Sequence, residues 1–111
     1  MSCYQHKSLA QDDLWKRYCQ SGAYAYDQAS YGQAERMFKL ALKEAEKFGP
    51  NDARLAHSLA NLGVLYNFRA QFAKAGPLFE QAIKIKQNAL GPEDSDVVTS
   101  VMRLCQFYLE R

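Results

Sequence analysis

The sequence predicts an all-α fold of five helices, arranged as about two and a half helix-turn-helix repeats. Residues return at a fixed pitch. Gly49-Pro50 recurs as Gly91-Pro92, 42 positions on, and Tyr66 recurs as Tyr108. Ser21-Gly22 aligns with Leu62-Gly63 and then with Leu104-Cys105. The set Tyr31, Ala34, Phe38, Ala41 maps onto Phe72, Ala75, Phe79, Ala82 with a constant shift of 41. Apolar residues inside each unit keep helical spacing, and Gly-Pro pairs separate the units.

The first helix, about Leu9–Asp27, is placed by the alignment of Ser21-Gly22 with Leu62-Gly63. The second, about Tyr31–Phe48, carries Ala34, Met37, Phe38, Ala41, Leu42 and Ala45 on one stripe, against a charged face of Glu35, Lys39, Lys43, Glu46 and Lys47. Gly49 suits a left-handed position just past its end, and Pro50 prevents continuation. Asp52 then caps a third helix, about Ala53–Arg69. The fourth, about Phe72–Leu90, repeats the stripe with Ala75, Leu78, Phe79, Ala82 and Ile83. Pro77 lies more than one turn inside it, so a lost backbone hydrogen bond and a local bend are expected there. Gly91-Pro92 closes this helix, and Asp94 opens a fifth, about Ser95–Glu110.

Gly22, Gly63, Ala34, Ala75, Ala41 and Ala82 are small because helices joined by a tight turn approach closely. Phe38, Phe79 and Tyr66 fill the space beside them. One hairpin cannot bury its own apolar face, so stacking of neighbours supplies the core. Length and pattern give a single domain over 1–111, with repeats at about 9–48 and 51–90 and a half repeat at 93–110.

Three stretches carry a family resemblance: Asn61-Leu62-Gly63-Val64-Leu65-Tyr66, Ala75-Gly76-Pro77-Leu78-Phe79-Glu80-Gln81-Ala82, and Ala89-Leu90-Gly91-Pro92-Glu93-Asp94-Ser95-Asp96-Val97. They resemble the 42-residue tetratricopeptide repeat of kinesin light chains, including its mid-helix proline and Gly-Pro-acidic link. The resemblance is close over 49–108 and looser over 15–48, where Ser21 and Ala25 stand in for the usual Leu and Tyr. It implies an α-α superhelix, a right-handed solenoid that binds peptides or proteins in its concave groove.

In that family the first helix of each repeat lines the groove. The fifth helix is apolar around most of its circumference, and its internal polar stripe is Thr99, Arg103, Gln106 and Glu110. The matching positions are His57, Asn61, Val64 and Phe68 in the middle repeat, and Lys16, Gln20, Ala23 and Asp27 in the first. The candidate peptide-binding residues are therefore Lys16, Gln20, His57, Asn61, Val64, Phe68, Thr99, Arg103 and Gln106. Asn61 can donate to and accept from an extended backbone, and Arg103 can hold a carboxylate bidentately. Repeats that clamp the C-terminal carboxylate of heat-shock chaperones share Asn61 and Arg103 with this chain, but have other residues where it has Cys19, Ala23 and Thr99. The groove is only mildly basic beside the cargo-binding groove of kinesin light chains.

The fifth helix has no following helix to cover its outer side. Val101, Leu104, Phe107 and Tyr108 are expected to stay partly wet and to drive self-association or docking through this end, unless the chain is a piece of a longer repeat array. A homo-oligomer is the alternative partner.

Composition bounds the function classes. A net charge of +2 with interspersed signs lacks the basic stripe of a nucleic-acid binder. No apolar run nears the roughly 20 residues that span a bilayer. Met1–His6 has no charged segment leading into an apolar one, so no leader is read there. Cys3, Cys19 and Cys105 are scattered and odd in number, which suggests reduced thiols and a cytoplasmic protein. His6 and His57 are too few for a metal site, and Cys105 sits at the small-residue position of Gly63, where a buried cysteine packs as a small hydrophobe. No phosphate loop, paired-carboxylate motif or G-x-S-x-G appears, so neither enzyme activity nor a cofactor is expected.

Overall fold

The computed structural model describes residues 2–110, and their side chains from residue 12 onward. Cys3, His6 and the reading of Met1–His6 as free of a leader lie outside the residues whose side chains are described. Among the described residues there are five helices and no strand: α1 Ser2–Asp27, α2 Tyr31–Glu46, α3 Ala53–Phe68, α4 Phe72–Leu90 and α5 Ser95–Leu109. The first starts at Ser2 rather than Leu9, since no Gly or Pro interrupts the backbone before Gly22. The second ends at Glu46 rather than Phe48. Its last amides, Lys47 and Phe48, tighten onto the carbonyls of Glu44 and Ala45 at 3.1 Å, three residues back.

The links between hairpins follow the expected chemistry. Gly49 has φ 115° and Gly91 φ 92°, a region that favours glycine. The carboxylates of Asp52 and Asp94 accept from the amides of Arg54 and Asp96, each at 2.9 Å, capping α3 and α5. Helix α4 runs through Pro77 without ending.

The turns within hairpins use a different device. Ala29 and Ala70 take φ 61° and 60° without being glycine. Ala29 N donates to Tyr26 O at 3.0 Å and Ser30 N to Ala25 O at 2.8 Å. Ala70 N to Asn67 O at 3.0 Å and Gln71 N to Tyr66 O at 2.8 Å repeat the same pair of bonds. This is the Schellman closure, made twice at equivalent places.

Each helix packs on the next, with α1 on α2 and α3 on α4 the closest pairs. The result is a slab of 50 × 36 × 18 Å, an open row rather than a closed bundle. Ala34, Ala41 and Ala75 have no exposure, and Ala82 is buried, as close helix approach requires. A Cβ added to Gly22 would stand 2.5 Å from ring carbons of Phe38, and one on Gly63 2.7 Å from Phe79. The two hairpins therefore share one packing rule: an aromatic ring lies over a glycine.

Two core clusters result. One gathers Phe38, Leu62, Leu65, Tyr66 and Phe107; the other gathers Leu55, Ala56, Leu59 and Ile85. Fully buried Ser58 accepts from the Trp15 indole N–H at 2.7 Å, tying α1 to α3. Arg54 ties the start of α3 to the middle of α1. Its guanidinium contacts Asp52 at 2.8 Å and Asp12 at 3.1 Å, and lies 3.5 Å from the centre of the Phe48 ring. Both carboxyls are held below their ordinary range, chiefly by their hydrogen bonds to Arg54. Glu35 links α2 to α3, accepting from Lys39 at 3.0 Å, Tyr66 at 2.9 Å and Arg69 at 3.4 Å.

Candidate functional groove

The residues expected to line a groove lie on α1, α3 and α5, the first helices of successive hairpins. On α1, Lys16 and Gln20 are exposed, with Lys16 paired to Asp12 at 3.2 Å. On α3, His57 is open to solvent on one side, and its ring stands edge-on to Trp15 at 5.6 Å. Desolvation, with Lys86 nearby, lowers its pKa from the ordinary 6.5. Asn61 is half-buried and makes no side-chain hydrogen bond among the described residues. Val64 and Phe68 are 49% and 59% exposed. Phe68 is not isolated: its ring packs on Tyr26 at 5.4 Å and Tyr31 at 5.2 Å, closing the end of the α1–α2 hairpin against α3.

On α5, Thr99 spends its hydroxyl on the Ser95 carbonyl of its own helix at 2.9 Å. Gln106 donates to Glu110 at 3.2 Å. Arg103 is exposed and makes no hydrogen bond or ion pair among the described residues. A guanidinium left unpaired at the surface is an available anchor for a carboxylate.

Between α3 and α5, floored by α4, lies a cavity of about 320 Å³. Of the expected groove residues, it brings together Arg103 and Gln106. The α3 residues that line it are Ala60 and Asn67, not Asn61, Val64 or Phe68. Lys86 of α4, the second helix of its hairpin, also reaches it. A signal for Lys86 existed: Phe79, Ala82, Ile83 and Lys86 fall at i, i+3, i+4 and i+7, which puts a lysine on the buried stripe.

Of the residues expected to stay partly wet on α5, Phe107 needs correction. Phe107 is 7% exposed and belongs to the core, edge-on to Phe79 at 5.5 Å. Leu104 is half-buried against the same cluster. Val101 is half-buried, while Tyr108 is 48% exposed, as expected, with its hydroxyl over Gly76. Beside Tyr108, an open apolar stripe of α5 is formed by Val98, Met102, Cys105 and Leu109, at i, i+4, i+7 and i+11. Cys105 is thus exposed, not a buried packing residue. Gly22 and Gly63 each meet a ring from the helix that follows, and α5 carries Cys105 at that position with no such ring on it among the described residues.

Cys19, near Ser58, is half-buried, and burial pushes its thiol up, away from a reactive thiolate. Among the described residues, no three His, Cys, Asp or Glu side chains converge as a metal site, and no helix is long and apolar enough to cross a membrane.

Compared with known families, residues 17–88 match the model of the tetratricopeptide repeat, well over half of the 111 residues. None of the curated proteins compared with the chain matches it.

Proposed function

Because the chain belongs to the tetratricopeptide-repeat family, whose repeats mediate protein–protein interaction, we propose that it binds a peptide or protein segment along the first-helix face. The observation that carries this reading is the mixture of spare groups on α3 and α5. Exposed Val64 and Phe68, unbonded Asn61 and unpaired Arg103 offer apolar area, an amide and a cation to one extended chain. Lys16, Gln20, His57, Thr99 and Gln106 extend the same face. Two free thiols, Cys19 and Cys105, support a cytoplasmic setting.

The test is capture of partners from native extract by the wild type and by an Asn61→Ala/Arg103→Ala variant. The reading expects the variant to keep its helical signal and lose the partner. Equal capture by both would count against the groove.

The exposed stripe on α5 favours a second role in assembly. Met102 and Leu109 are 66% and 86% exposed beside Val98 and Cys105, a face suited to another helix. Met102→Lys with Leu109→Lys is expected to abolish any concentration-dependent increase in mass seen by light scattering. Persistence of that increase would place the contact elsewhere.

A further inference from the structure

We propose that the cavity between α3 and α5 is a binding site for a small amphipathic monocarboxylate, with its apolar tail on α4 and its carboxylate at Arg103 and Lys86. This goes beyond peptide binding and does not depend on it. At about 320 Å³, the cavity falls at the lower end of the range for small-molecule sites. Its apolar part is made by Phe79, Ala82, Ile83, Leu104 and Phe107, with the two phenyl rings edge-on at 5.5 Å. Ala82, Ile83 and Phe107 are otherwise buried, so the floor is fixed by the core.

Charge is distributed unevenly along it. Lys86 Nζ contacts Ser100 Oγ at 3.2 Å, and Ser100 stands one turn before Arg103 on the same helix. The ammonium and guanidinium therefore share one end of the cavity. Asp96, 3.5 Å from Lys86, offsets one of these two charges. Arg103 has no partner among the described residues, which leaves one net positive charge there. Glu110 stands two turns beyond Arg103, at the other end, where Gln106 donates to it at 3.2 Å. An anion is favoured at the first end and disfavoured at the second, which sets the direction of the ligand. A neutral apolar molecule would leave Arg103 unused.

Sodium decanoate, titrated calorimetrically into the full chain below its aggregation threshold, is the probe. The expected result is one saturable site, with decanol binding at least about tenfold more weakly, and with Arg103→Gln reducing decanoate affinity by a similar factor. Nuclear Overhauser contacts should join the ligand chain to the methyls of Ile83 and Leu104 in the wild type, a readout that needs no variant. Absence of saturable binding, equal affinity for decanol, or contacts to Met102 and Leu109 instead would each overturn the assignment. Val64→Ser with Phe68→Ser is expected to weaken partner capture and leave decanoate binding unchanged, which tells the two activities apart although both use Arg103.

Discussion

Replacing Gly63 by alanine tests the rule that an aromatic ring lies over a glycine. The new methyl would stand 2.7 and 2.9 Å from two ring carbons of Phe79, whereas carbon atoms settle at about 3.5–4.0 Å. The ring must retreat by about 1 Å. It has little room, because Phe107 of α5 backs it at 5.5 Å, so the strain passes from the α3–α4 hairpin into the α4–α5 contact. Overpacking of this kind costs roughly 1–3 kcal/mol. Alanine's better helix propensity returns about 1 kcal/mol. Gly63→Ala is thus expected to destabilise by about 0–2 kcal/mol. Gly32→Ala is the control, since nothing lies within 4 Å of its added carbon; it should be neutral or stabilising by up to about 1 kcal/mol. The gap between the two variants, read by urea denaturation with far-UV circular dichroism, isolates the packing cost. Adding Phe79→Leu to Gly63→Ala should narrow it. If Gly63→Ala proves as favourable as Gly32→Ala, the close approach of α3 to α4 is not as described.

Other expectations follow from the helix ends and ion pairs. Ala70→Gly should stabilise by about 0.5–1 kcal/mol, since a left-handed alanine costs roughly 1–2 kcal/mol and the glycine's extra unfolded-state freedom takes back part of the gain; the melting temperature reads it. Ser58→Ala, which removes the acceptor of the Trp15 indole, should cost about 1–2 kcal/mol in the same denaturation assay. Asp12, Asp52 and Glu35 have lowered pKa values, so their stabilisation is complete above the ordinary values of 3.8 and 4.5 and is lost as pH falls through the folded ones. Arg54→Met should flatten the part of that acid slope due to Asp12 and Asp52. His57 is also lowered, from 6.5, but its charged form is the protonated one. Stability should therefore fall as pH drops below 6.5 toward the folded value, and His57→Gln should remove that segment of the profile.

Much of the fold was legible because its determinants are local and repeated. Gly49 and Gly91 mark their turns by residue type, and the Phe38 and Phe79 stripes mark buried faces by spacing. The intra-hairpin turns were not marked in this way, because Ala29 and Ala70 hold a left-handed backbone through hydrogen bonds to residues before them. The site was legible only in part. Helix periodicity separates polar from apolar faces, and it put Arg103 and Gln106, which line the cavity, on the polar stripe of α5. Which of two adjacent rows on α3 faces the cavity depends on how helices rotate in the stack. That rotation lines the cavity with Ala60 and Asn67, the row adjacent to Asn61 and Val64. On α5, composition alone did not tell which apolar residues meet α4: Phe107 does, and Met102 does not.

Chemical-shift mapping of the labelled chain with a captured partner addresses the binding face itself. The largest changes are expected at His57, Asn61, Val64, Phe68, Arg103 and Gln106 on α3 and α5. Changes gathered instead on Met37, Leu40 and Lys43 would move the binding surface to α2 and contradict the account.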